Sequence, residues 1–179
     1  MTSQNKTLKL AKMGMLVAIS VVLVYLLHFP IFPAAAFLEY DPADIPILIG
    51  TFAFGPMAGL LLVVVTAVIQ GTTVSAVSGL YGIIMHILAT GSFVLVAGLL
   101  YRGHKSKKEA IIALTAGVIT MTVVMVLANM VVTPAFTGWS LSAVMKLMPF
   151  IVGFNLIKAG VNSVITFILY KRISRFLHK

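Results

Sequence analysis

Of the 13 lysines and arginines in this 179-residue chain, 11 fall in three short segments: Lys6, Lys9 and Lys12; Arg102, Lys105, Lys107 and Lys108; and Lys171, Arg172, Arg175 and Lys179. Long apolar runs separate them. This distribution restricts the fold more than any motif does, because apolar runs of this length settle into lipid while short basic segments stay on its cytoplasmic face. Inside lipid each backbone N–H and C=O must be satisfied within the chain, so the runs are helices. Charged residues make up only 9% of the sequence, against about a quarter in soluble domains. The prediction is an all-α integral membrane protein. Its net charge of +9 reflects topology, and no nucleic acid partner is expected.

Taken in order, the chain predicts one domain over residues 1–179 with spans at about 7–28, 42–54, 56–70, 80–101, 109–132 and 149–170. The first apolar run, followed by Pro33-Ala34-Ala35-Ala36, has the outline of a signal peptide but is read as a transmembrane helix. Its Gly14 and Ala18 form a small-xxx-small pair suited to close helix approach. Pro30 and Pro33 rule out continuous helix over 28–44, where three of the four acidic residues lie: Glu39, Asp41 and Asp44. Asp41 followed by Pro42 reads as an N-cap with proline at N1, placing Asp44 at N3 and starting a helix at Pro42. Residues 45–69 could be one span, but Gly55-Pro56 interrupts them. Two spans put all three basic segments on one face, whereas one span would not. Six spans follow, with both termini cytoplasmic.

Residues 149–162, PFIVGFNLIKAGVN, carry polar groups inside the last span. Asn155, Lys158 and Asn162 share one helical stripe. If the helix starts near Pro149, Lys158 lies ~14 Å in. A lysine at such depth costs ~2.5–3.5 kcal/mol on insertion scales. Three uses are open to it: snorkelling to the interface, a structural ion pair, or facing a cavity or ligand. The depth favours the last.

This topology gathers Glu39, Tyr40, Gln70, Tyr81, Asn129, Trp139 and the Asn155 stripe in the outer half, describing a pocket open to the outside. His86 sits nearby, with a ligand or a neighbouring helix as alternative partners. Residues 133–148 are expected as an outer loop, in which Trp139 either anchors at the interface or covers the pocket. No P-loop, G-x-S-x-G or H-E-x-x-H occurs, so catalytic residues are not expected. There are no cysteines, and His28, His86, His104 and His178 lack metal-ligand spacing, so no metal is expected.

The segments FLEYDPADIPILIGTFAFGPMAG (37–59) and FNLIKAG (154–160) resemble the substrate-binding S component of energy-coupling factor (ECF) vitamin transporters, in particular its riboflavin-specific branch. The likeness extends over nearly the whole chain. It implies a high-affinity binder in the prokaryotic plasma membrane that captures vitamin outside. A transmembrane coupling subunit and two cytoplasmic ATPases would drive release inside. It also implies docking through small residues of the first helix, here Gly14 and Ala18, and a flavin site including Asn129, Asn155 and Lys158. Riboflavin would be the transported ligand, with no cofactor.

The chemistry is compatible, since asparagines match the uracil-like edge of a flavin and Glu39 could accept from ribityl hydroxyls. Riboflavin is neutral, however, so the charge of Lys158 needs an acidic loop residue or water. An anionic vitamin such as pantothenate or folate would supply its own charge. A non-transporting membrane scaffold is the third reading.

Overall fold

The second helix of the computed structural model explains the architecture. The structure describes residues 3–103 and 105–177; His104, His178 and Lys179 lie outside the described residues. Among those described there are six α-helices: α1 (Ser3–Leu26), α2 (Asp44–Phe54), α3 (Pro56–Thr72), α4 (Gly79–Gly103), α5 (Lys107–Thr137) and α6 (Leu141–Leu177). Four of these, over Lys6–Leu26, Gly79–Gly103, Lys107–Thr137 and Leu141–Tyr170, are long and apolar enough to cross a membrane. Between α1 and α2 the strands β1 (Phe29–Pro30) and β2 (Glu39–Tyr40) pair antiparallel around a short 3₁₀ turn.

Residues 44–52 of α2 are all buried, as expected of a helix that is apolar on every side. It packs against α1, α3, α4 and α6. Its 11 residues reach ~16 Å, about half of a ~30 Å hydrocarbon layer. A central helix that begins halfway leaves the rest of the bundle axis to something else, and the segment 27–43 descends into it.

Gly55 makes the break between α2 and α3. Its φ of 93° lies where only glycine is comfortable, and the chain folds back on itself. Gly50 consequently faces the Leu62 side chain and Gly59 faces Thr51, contacts impossible along one continuous helix. At the level of this turn Phe52 stacks on Tyr101 at 4.2 Å between ring centroids, and Tyr170 meets both rings edge-on. Lys9 lies 5.8 Å from the Phe54 ring centroid, and Arg102 and Lys105 border the same turn. The basic segments therefore gather at this aromatic end.

Three boundaries differ from the sequence reading. Helix α2 starts at Asp44, not Pro42, because residues 42–43 form a turn in which Pro42 O accepts from Ile45 N. Helix α5 continues through Pro134 to Thr137 and α6 begins at Leu141, leaving only residues 138–140 where a loop over 133–148 was expected. Both Pro134 and Pro149 are inside helices, a placement membrane helices tolerate because neighbouring groups satisfy the freed carbonyl.

Close packing of α4 on α5 depends on Gly117, where an added Cβ would fall on the ring of fully buried Phe93. Gly117→Ala is expected to cost about 1–3 kcal/mol and to lower the thermal midpoint in detergent. Gly91→Ala, meeting only Leu60 at an ordinary 3.7 Å, should leave it unchanged. Equal midpoints in the two variants would contradict this packing.

Candidate binding cavity

Above the start of α2, α3 to α6 diverge around a cavity that the segment 27–43 covers. The apolar part of its wall is built from Ala67, Met85, Ala89, Met121, Met125 and Phe154, with Phe37 and Leu38 contributed by the cover. Into it project Glu39, Gln70, Tyr81, Asn129, Asn155 and Lys158, six of the eight residues expected in the pocket. They come from four helices and the segment 27–43, and only Asn155 and Lys158, on one stripe of α6, are connected by local spacing.

Lys158 is 8% exposed, and its ammonium donates to Asp41 Oδ2 at 2.7 Å. Asp41 Oδ1 accepts from Ala43 N at 3.0 Å, so one carboxylate both holds the turn before α2 and neutralises the lysine. Burial raises the Asp41 carboxyl, but the Lys158 ammonium, the nearby His86 and the hydrogen bonds from Lys158 and Ala43 N together hold it below the usual carboxylate range. The sequence reads Asp41 as the N-cap of α2, but α2 starts at Asp44 with Ala43 at the cap position, and Asp41 holds the preceding turn while it pairs with Lys158. The signal for its second role was charge balance, since a deep lysine needs an anion and few exist.

Asn162, fully buried, completes the junction. Its Nδ2 donates to Asp41 O at 3.2 Å and to Asp44 Oδ2 at 3.3 Å, while its Oδ1 accepts from Tyr40 OH at 2.9 Å. Burial, followed by the nearby Asp41 charge, raises the Tyr40 phenol, so this donor keeps its proton. Asp44 Oδ1 accepts from Thr90 Oγ1 at 2.8 Å and lies 3.6 Å from His86 Nε2. Asp44 also sits at the N-terminus of α2, where the helix dipole favours a carboxylate. His86 and Thr90 line the cavity, and the fully buried Asp44 holds Thr90 from beneath, an arrangement that sequence spacing could not show.

The two asparagines differ in what they have free. Asn155 Nδ2 donates to Ile151 O in its own helix at 2.7 Å, leaving Oδ1 for the cavity. Asn129 Nδ2 donates to Met125 O, and its Oδ1 accepts from Thr133 Oγ1 at 2.9 Å, which in turn pairs with Tyr81 OH. Gln70 Nε2 reaches Ser75 Oγ at 3.5 Å, and among the described residues its buried Oε1 has no hydrogen-bond partner.

Two expected pocket residues do not line the cavity. Tyr40 follows Glu39 in β2, so the two side chains take opposite faces of the strand; Glu39 borders the cavity while Tyr40 turns to Asn162. Trp139 is 44% exposed and meets the cavity residue Phe37 edge-on at 6.1 Å, supporting the cover from outside. On α1, Gly14 and Ala18 are exposed, and nothing packs within 4 Å of where a Gly14 Cβ would stand.

A helical membrane bundle closed at one end by aromatic rings, with a covered cavity at the other whose apolar wall carries several converging polar groups, defines a membrane protein with a site of small-molecule type. A model of the substrate-specific component of ECF transporters matches residues 8–170, and the chain belongs to that family. It is 32% identical to the riboflavin transporter RibU of Staphylococcus aureus, covering 98% of this chain and 94% of that one. It is 27% identical to the riboflavin transporter FmnP of Bacillus subtilis over 97% of this chain and 96% of that one. A solved S component of a bacterial ECF transporter superposes with a TM-score of 0.82 at 32% identity, covering 99% of this chain and all of the other.

Proposed function

We propose that this chain is the riboflavin-binding S component of an ECF importer, taking up the vitamin on the outer side of the membrane for release inside. The observation that carries this reading is the Lys158–Asp41 pair. It supplies the counter-charge whose absence made a neutral ligand hard to explain, and so removes the reason to prefer pantothenate or folate. Riboflavin transporters among the relatives that match nearly end to end support the same choice.

In this reading the apolar wall takes the tricyclic ring, Asn155 and Lys158 meet its uracil-like edge, and Gln70 and Glu39 face the ribityl hydroxyls. The cavity encloses about 160 Å³, less than the ~300 Å³ at the low end of small-molecule sites. Entry therefore requires the segment 27–43 to move outwards. Its polar ties, Asp41 to Lys158 and Tyr40 to Asn162, act as the latch.

Gathering the basic segments at one end supports six crossings with both termini and the α4–α5 connection in the cytoplasm. The exposed Gly14 and Ala18 of α1 are the docking face for the transmembrane coupling subunit, and two ATPases supply the energy.

The deciding measurement is the visible absorption spectrum of detergent-purified protein, with chromatography of what denaturation releases. A flavin spectrum with free riboflavin is the expected result. A colourless protein that also fails to quench added riboflavin fluorescence would overturn the proposal.

A further inference from the structure

At the aromatic end of the bundle a second cavity, about 430 Å³ in volume, opens between the α2–α3 turn and the last turn of α4. Phe54, Gly55, Pro56 and Tyr101 form its walls, and Arg102 and Lys105 stand among its lining residues. Both cations are exposed. Among the described residues neither makes a hydrogen bond or ion pair with the protein.

Among the described residues no carboxylate lines this cavity. Glu39, Asp41 and Asp44 belong to the opposite end, and Glu109 lies in the first turn of α5. Lys9, over the Phe54 ring, adds a third positive charge. Beside the cations, Met57, Leu99 and Leu100 face outwards, 73%, 58% and 44% exposed. Cations without a counter-charge next to an outward apolar surface, at the level where membrane helices give way to a basic connection, match an amphiphilic anion.

We propose that this cavity seats the phosphate headgroup of an anionic phospholipid, with its acyl chains along Met57, Leu99 and Leu100. Arg102 offers a planar set of N–H donors suited to phosphate oxygens, and Lys105 a mobile point charge. The apolar rim selects lipid over free phosphate. An acidic protein segment would use the cations and leave the rim in lipid without a role.

The test is native mass spectrometry of the full chain in detergent, titrated separately with phosphatidylglycerol and phosphatidylcholine. Preferential retention of phosphatidylglycerol is expected, and Arg102→Gln with Lys105→Gln should weaken it on the order of tenfold or more. Lys107→Gln with Lys108→Gln removes equal charge from the same connection outside the cavity and should change retention little. Equal losses in the two double variants, no preference over phosphatidylcholine, or displacement by equimolar inorganic phosphate would each overturn the proposal. If the first double variant has a lowered thermal midpoint, Lys105→Gln alone carries the comparison, against Lys108→Gln.

Discussion

Asp41→Ala is expected to destabilise the protein by about 3–5 kcal/mol and to abolish riboflavin binding, because it leaves the Lys158 ammonium in a buried site without its adjacent counter-charge. The pair is buried on both sides, with side chains 10% and 6% exposed for Lys158 and Asp41, so solvent cannot take over the role of the missing partner. The same substitution removes the acceptor for Ala43 N, a loss of roughly 1 kcal/mol by comparison with helix caps. Lys158→Met alone should also destabilise, because it leaves the buried Asp41 carboxylate without its partner. The informative variant is the double one. Asp41→Ala with Lys158→Met removes both charges and should recover most of the stability lost in Asp41→Ala, as replacements of buried pairs by apolar groups commonly do. Binding separates the uses open to Lys158. If its ammonium meets the ligand, the stable double variant still does not bind; if its only task is to hold Asp41, binding returns with stability. Thermal unfolding and fluorescence titration on the same four proteins complete the cycle.

How much of this was legible in the sequence depended on whether the governing interaction was local. The break at Gly55-Pro56 could be read because glycine and proline act on their own backbone, and the fold-back of α2 on α3 follows from it. The stripe of Asn155, Lys158 and Asn162 followed from helical periodicity, and all three are buried on one face. Reading Pro149 as a helix start failed because the rule that proline ends a helix belongs to water, where freed carbonyls and helix ends are equally cheap to solvate. In a bundle the true signals were Gly138, left-handed at φ 71°, and Ser140, whose hydroxyl accepts from Ala143 N. The union of Asp41 with Lys158 spans 117 positions and no pattern encodes it. Only charge balance pointed there, and it could not choose among Glu39, Asp41 and Asp44.

Asn155→Ala is expected to weaken riboflavin binding roughly 10- to 100-fold at nearly unchanged stability, the equivalent of one lost hydrogen bond to a buried ligand group at ~1–3 kcal/mol. The reasoning rests on where its amide already spends its bonds. Its Nδ2 donates to Ile151 O, a carbonyl that already belongs to the α6 ladder, so deleting the side chain strands no essential protein partner. Asn129 is the opposite case. It is the middle link of a chain that runs from Tyr81 through Thr133 and its own amide to Met125 O, and Asn129→Ala leaves the Thr133 hydroxyl without that acceptor. That variant should lose about 1–3 kcal/mol of stability and should affect binding less than Asn155→Ala, because the groups it frees were committed to the protein. Measuring both affinity and thermal midpoint for the two variants sets ligand contact against structural support at residues of identical chemistry. Should Asn155→Ala instead unfold early while retaining its affinity, the uracil-like edge of the flavin cannot lie against α6, and the orientation proposed for the ligand has to be reversed within the cavity.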